Sequence, residues 1–185
     1  MFVLVENDSI TKTLQSNKGI TLGENQYPRA IYTSWSTAER EAIGIYEVVF
    51  DNSNKKDEKY YNNTNQSFAF AGGVVTASYG SATANSLADV TEDGVTTPGL
   101  KTKHKESIKQ QASNLLTSTD WYVIKATEVE SYSVPAAMTT YRAAVRTASN
   151  DMEALIDACS TVDELAALYA YTDETRPLGE WPEEV

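Results

Sequence analysis

The hydrophobic pattern changes once along the 185-residue chain, and this change constrains the fold more than any other feature. In the first half, apolar residues form short β-prone runs, such as Phe2–Val5 and Ile45–Phe50, separated by segments rich in Gly and Asn. From Leu100 onward, apolar residues recur at helical spacing. The pattern therefore predicts an α+β protein whose strands precede its helices.

The break in periodicity defines the predicted modules. Gly94, Pro98 and Gly99 interrupt the pattern in the segment VTEDGVTTPG, which we interpret as a linker. We predict a β-rich attachment or assembly module over residues 1–97 and an antiparallel helical module over residues 98–172. Residues 173–185 are acidic and contain Pro177 and Pro182, so we expect an extended tail there.

Local signals place several elements within this scheme. Ser36 and Glu39 have the spacing of a capping box, which predicts a short helix over residues 37–42, and Thr161 with Glu164 predicts another. Gly72-Gly73 separates two β-prone runs and predicts a tight hairpin, because no helix with a phosphate-binding Lys follows it. After Pro135, one helical face is predicted to be apolar; it comprises Met138, Tyr141, Val145, Ala148, Met152, Leu155, Ile156 and Cys159.

The net charge of −11 is unevenly distributed. Residues 1–97 carry a charge of −5, residues 98–149 a charge of +3, and residues 150–185 a charge of −9. An acidic protein repels phosphates, so we expect no nucleic-acid partner. The basic block is interpreted as a solvated helix face; the alternative is attraction to the acidic end of its own chain or of a neighbouring copy.

Composition also limits the chemistry that is expected. Cys159 is the single cysteine and His104 the single histidine, so we predict no disulfide, no metal site, no cofactor and no enzymatic activity. A hydrolase based on carboxylates stays open as a less favoured alternative. No apolar run is long enough to span a membrane, and MFVLVENDSI does not resemble a secretion signal. We therefore expect synthesis in a cytoplasm and no membrane insertion.

The segment STDWYVI, beginning at Ser118, is the first candidate site. Asp120 is expected to accept hydrogen bonds from free backbone donors at a helix junction, while Trp121 closes the open end of a helix pair. Tyr141 and Arg146 are expected to face Trp121 from the next helix. This packing role is favoured over a ligand site, because a large aromatic side chain at a helix junction is more often part of the core.

Trp181 is the second candidate. It lies among charged residues in LGEWPEEV, outside any periodic pattern. An aromatic side chain of this size is unfavourable in water, so Trp181 is predicted to anchor in a pocket. That pocket can belong to the same chain or to a neighbouring subunit, and the sequence favours neither.

Three segments together resemble known phage proteins. SWSTAEREAIGIYEVV resembles a segment near the start of many phage tail-fibre and tail-associated proteins. LLTSTDWYVIKATE and VPAAMTTYRAAVR together resemble a helical hairpin of phage tail-fibre proteins and tail assembly chaperones, and EWP is similar to their Trp-Pro ends. The matching residues are Leu115, Leu116, Thr119, Asp120, Trp121, Tyr141, Arg142, Arg146, Trp181 and Pro182.

The resemblance implies a structural protein in the virion of a tailed phage, made in the host cytoplasm and located in the tail. The chain lacks the long repetitive shaft of a receptor-binding fibre, so a small tail-fibre segment, a connector or a baseplate-associated component fits better. Other tail or baseplate proteins are the implied partners, and the resemblance implies a homo-oligomer, with a trimer as the expected symmetry. The alternative is a transient tail-fibre assembly chaperone that is absent from the virion.

Overall fold

The computed structural model describes residues 1–172 and 174–184, and the chain divides into two compact units, Met1–Thr83 and Ala84–Val185. Strands account for 26% and helices for 36%, with the strand-rich part first, so the predicted α+β class is confirmed. The strands are β1 (Phe2–Glu6), β2 (Ser9–Leu14), β3 (Ile20–Leu22), β4 (Asn25–Tyr27), β5 (Ile45–Asp51), β6 (Tyr61–Asn62), β7 (Gln66–Ala71), β8 (Val74–Tyr79), β9 (Thr83–Ala84), β10 (Val90–Glu92) and β11 (Val95–Thr97). The helices are α1 (Ile31–Ser34), α2 (Thr37–Glu41), α3 (Leu100–Thr117), α4 (Asp120–Glu128), α5 (Ala136–Ala158) and α6 (Val162–Ala167).

A five-stranded sheet organises the first unit, in the order β2-β1-β5-β8-β7. All neighbouring strands are antiparallel except β5 and β8, which are parallel. Side chains alternate between the two faces of a strand, and both faces of this sheet are used. One face packs Val3, Val48 and Val75 into a core, while the other packs Phe2 and Ile45 of the sheet against α1.

Tight turns set the pairing of the outer strands. Gly72 and Gly73 connect β7 to β8 with φ angles of 57° and 78°, which confirms the predicted hairpin. Asn7 and Asp8 connect β1 to β2 with φ angles of 51° and 58°, a conformation that Asn and Asp tolerate better than most residues. The capping box of Ser36 and Glu39 is also present and begins α2, as predicted.

The second unit begins earlier than predicted, at Ala84 rather than after residue 97. The segment interpreted as a linker is a hairpin of β10 and β11, with Asp93 and Gly94 in the turn at positive φ. Hydrogen bonds tie the segment before this hairpin to the start of α3. The N–H of Leu100 donates to the carbonyl of Ser86 over 2.9 Å, and the next N–H, that of Lys101, donates to the carbonyl of Leu87 over 3.0 Å.

Helices α3 and α5 pack against each other and form the core of this unit. The apolar face predicted for α5 is confirmed for Met138, Tyr141, Val145, Met152 and Ile156, which are buried. Leu155 is exposed, contrary to the prediction. Two polar residues that the apolar pattern omits, Arg142 and Ser149, are buried in the same helix. The capping box of Thr161 and Glu164 begins α6 as predicted.

The described part of the acidic segment, residues 174–184, forms no helix or strand, but it is docked rather than free. Leu178 is completely buried, and its N–H donates to the carbonyl of Leu168 over 3.1 Å. The N–H of Gly179 donates to Sδ of Met152 over 3.4 Å. The predicted tail also includes Asp173 and Val185, which lie outside the described residues.

Candidate interaction surface

Arg142 holds the junction between α3 and α4. Its guanidinium donates to the carbonyl of Leu116 over 2.9 Å, to the hydroxyl of Thr119, and to the carboxylate of Asp120 over 2.8 Å. The side chain of Arg142 is only 9% exposed. The last carbonyls of a helix lack partners within the helix, and the planar guanidinium can reach several acceptors at once. The predicted junction therefore exists, and Arg142 is the residue that secures it.

Trp121 does not close the helix pair, so this part of the prediction is wrong. Its side chain is 50% exposed and lies against Tyr122, with the ring centroids 3.8 Å apart. Thr119 is buried, and Tyr122 packs against the core of α3 and α5. Successive residues of a helix point about 100° apart, so a helix that turns Tyr122 inward turns Trp121 outward.

Trp181 is held by the helical core. It packs against the buried cluster of Ala112, Met138, Tyr141 and Val145, and its Nε1–H donates to Oε1 of Gln111 over 3.2 Å. The pocket predicted for Trp181 is therefore in its own unit of the chain. A Trp among charged residues could be identified in the sequence, but its partners lie on helices far from it in the chain.

Tyr141 is buried in the same cluster and does not face Trp121 as predicted. Among the described residues, no hydrogen-bond partner reaches its hydroxyl. Burial raises the pKa of Tyr141, and the nearby negative charge of Glu184 raises it further. The side chain thus acts as part of the core.

Arg146 lies one helical turn beyond Arg142 and is exposed. One guanidinium nitrogen donates to the carbonyl of Arg142 over 3.3 Å. Both arginines line a groove of about 510 Å³ along α3 and α5, within the helical unit. Arg146 therefore faces this groove rather than Trp121, which is a second correction to the predicted arrangement.

Helix α4 exposes three large apolar side chains. This nine-residue helix has no buried residue, and Trp121, Val123 and Ile124 are exposed, Ile124 by 55%. Nζ of Lys125 lies 5.7 Å from the ring centroid of Trp121 and 4.4 Å from that of Tyr132, which keeps a cation beside the aromatic rings. We refer to Trp121, Val123 and Ile124 as the α4 face.

The first unit has an apolar surface of its own. Cross-strand pairing places Phe50, Ala77 and Phe68 side by side on β5, β8 and β7. Ala77 is fully buried, whereas Phe50 is 48% exposed and Phe68 is also exposed. These side chains lie on the same face of the sheet as Val48, Val75 and Phe70, two residues away along each strand. Those three residues pack into the sheet core. We refer to Phe50 and Phe68 as the sheet face.

The single histidine and the single cysteine belong to the core. Nδ1 of His104 lies 2.5 Å from the hydroxyl of Tyr169, and the histidine side chain is buried. Cys159 is buried as predicted, and burial raises the pKa of its thiol. Within the described ranges, no group of His, Cys, Asp and Glu side chains could hold a metal ion.

No protein-family model matches the sequence, and comparisons with curated proteins and with solved structures find no similar protein. The resemblance to phage tail proteins therefore depends on the sequence motifs alone. Within the described residues, no helix is both long and apolar enough to cross a membrane.

Proposed function

We propose that this chain is a structural component of a phage tail: a small tail-fibre segment, connector or baseplate-associated protein that acts through protein–protein contacts. The observation that carries the proposal is that each unit exposes an apolar surface, the α4 face on one and the sheet face on the other. Clustered exposed apolar residues mark surfaces that bind other proteins. A connector needs at least two such surfaces, because it joins two neighbours.

The α4 face supports the proposal most strongly. Isolated helices shorter than about 12–15 residues are marginal in water, and most helices in proteins are stabilised by an apolar side packed against a neighbour. Helix α4 has nine residues, none of them buried. Its attachment to the unit depends on Asp120 and Tyr122. A neighbouring protein that covered Trp121 and Ile124 would supply the packing that α4 lacks.

The proposal includes a homo-oligomer, with a trimer as the expected form, and a location in the virion tail. A closed symmetric assembly is the usual arrangement for such components. Sedimentation velocity on the purified chain tests this part. A trimer supports it, and a monomer at all accessible concentrations contradicts it.

Mass spectrometry of purified particles of the encoding phage tests the structural role. We expect the chain at a fixed copy number that survives stringent purification. Its presence only in the lysate of infected cells would contradict the proposal and favour the alternative of a transient assembly chaperone.

A matched pair of variants then tests the α4 face. The double variant Trp121→Ser/Ile124→Ser should keep the circular dichroism of the native chain, because neither side chain packs in the core, but should be lost from particles. The control Lys103→Ser changes an exposed residue of α3 and should be incorporated normally. Normal incorporation of the double variant would show that the α4 face does not hold the chain in the particle.

A further inference from the structure

The groove beside α4 is lined by one more positively charged side chain than negatively charged ones. It runs along α3 and α5, and Asp120, the first residue of α4, lies at its wall. Its volume of about 510 Å³ lies within the range of sites that bind small molecules. Its charged residues are Lys109, Asp120, Arg142, Arg146 and Glu153, and Asn150 lines it as well.

Two ion pairs account for most of these charges. Arg142 pairs with Asp120 over 2.8 Å, and Lys109 pairs with Glu153 over 3.3 Å. Arg146 forms no ion pair with any residue in the described part of the chain. Three cations and two anions therefore line the groove, and the excess positive charge is on Arg146.

The guanidinium of Arg146 is also partly positioned. Its bond to the backbone carbonyl of Arg142, which is held within α5, uses one nitrogen. Arg has five N–H donors in a planar fork that matches a carboxylate. The side-chain amide of Asn150, which lines the same groove, offers a further donor.

We propose that this groove binds the carboxylate of an Asp or Glu side chain on a partner protein, with Arg146 as the pairing cation. A single excess positive charge matches a monoanion. A phosphate dianion would also meet the carboxylates of Asp120 and Glu153, which disfavour a second negative charge. The inference rests on the proposed assembly role. The partner would contact the α4 face with apolar residues and place an acidic side chain in the groove.

The test uses the purified 185-residue chain and two small probes that differ only in charge. N-acetyl-glutamic acid α-amide has one carboxylate, and N-acetyl-glutamine α-amide is its neutral isostere. Titration is followed by NMR chemical shifts of the backbone amides and the Arg Nε–Hε groups. We expect saturable shifts at Arg146 and Asn150 with a Kd on the order of 1 mM, the range for a ligand of this size. The neutral probe should leave these signals unchanged.

Three variants identify the pairing cation. Arg146→Gln should weaken binding of the charged probe at least about tenfold, the effect of losing a charge-assisted hydrogen bond. Arg146→Lys should restore part of it, while Lys103→Gln, which removes a charge from an exposed position of α3, should have no effect. Because the groove is open to solvent, added salt should weaken binding to the native chain.

Several results would overturn the inference. Equal shifts from both probes, an unchanged Kd in Arg146→Gln, or tighter binding of inorganic phosphate than of the charged probe would each exclude a monocarboxylate site at Arg146. This assay involves neither particles nor the α4 face. If the charged probe does not bind, the proposed structural role is unaffected. If the chain is absent from particles, the carboxylate binding measured by NMR is unaffected.

Discussion

Replacing Arg142 with Met should destabilise the helical unit, because this side chain joins α3, α4 and α5. The variant removes donors to Leu116, Thr119 and Asp120 but keeps a side chain of similar length. Hydrogen bonds to charged groups contribute about 1.5–3 kcal/mol, and breaking a buried ion pair costs about 3–5 kcal/mol. Two features of the structure place the expected loss near the lower end of these ranges.

The first feature is that the carbonyl of Leu116 keeps two other donors, the N–H of Thr119 at 3.0 Å and its hydroxyl at 2.8 Å. The second is that the Asp120 side chain is 51% exposed, so water can solvate it once Arg142 is gone. We therefore expect a loss of about 2 kcal/mol in the free energy of unfolding, which corresponds to a decrease in Tm of about 10 °C for a unit of this size.

Urea unfolding followed by circular dichroism measures this loss, because the long helices all belong to the second unit. Arg146→Met is the matched control. It removes an exposed arginine from the same helix and should change the free energy of unfolding by less than about 0.5 kcal/mol. A loss below that value for Arg142→Met, or an equal loss for both variants, would refute the structural role assigned to Arg142.

Three further outcomes follow from the structure. Trp181→Ala should lower the free energy of urea unfolding by about 2 kcal/mol, because it removes a half-buried ring and its hydrogen bond to Gln111. Trp121→Ala should change this free energy by less than about 0.5 kcal/mol. Equal losses in the two variants would contradict the positions assigned to the two side chains. Cys159 should react with iodoacetamide only as fast as the unit opens, because burial raises the pKa of the thiol and restricts access; rapid alkylation of the native chain would contradict this. Hydrogen bonds from Ser36 lower the pKa of Glu39 below its ordinary value, so the stabilising effect of the ionised carboxylate is present above that ordinary value and is lost as the pH falls through the lowered one. The stability difference between the native chain and Glu39→Gln should therefore shrink in acid. A constant difference would contradict a contribution from the ionised carboxylate.

Signals confined to a few neighbouring residues predicted their elements correctly. The capping boxes at Ser36 and Thr161 each begin a helix, and Gly72-Gly73 forms a hairpin turn. In each case the interacting groups are close in sequence, so tertiary packing has little influence on the outcome.

The segment interpreted as a linker contains a local signal for a hairpin. Asp93-Gly94 is a favoured pair for a two-residue hairpin turn, and it lies between the β-prone residues Val90 and Val95. The linker interpretation ends the first module at residue 97, whereas the second unit begins at Ala84. The neighbouring Pro98 and Gly99 are typical of loops, so the composition of the whole segment favours a linker over a hairpin.

Side-chain directions at the helix junction could not be derived from the sequence. Trp121 and Tyr122 are adjacent aromatic residues, and the sequence does not state which of them points inward. That choice depends on the rotation of α4 about its axis. The rotation is fixed by the contacts of Arg142 with Asp120 and Thr119, which are more than twenty residues away in the sequence. The burial of Arg142 has the same origin, since an apolar-periodicity rule assigns arginine to the surface.

Hydroxyl-radical footprinting of Trp121 is the most direct test of the central claim that the α4 face is covered by a neighbour in the assembled tail. Oxidation of Trp121 is compared between the free chain and purified particles, with Trp181, which is held in its own unit, as the internal reference. The account predicts rapid oxidation of Trp121 in the free chain and strong protection in particles, with little change at Trp181. Equal oxidation of Trp121 in both states would contradict it.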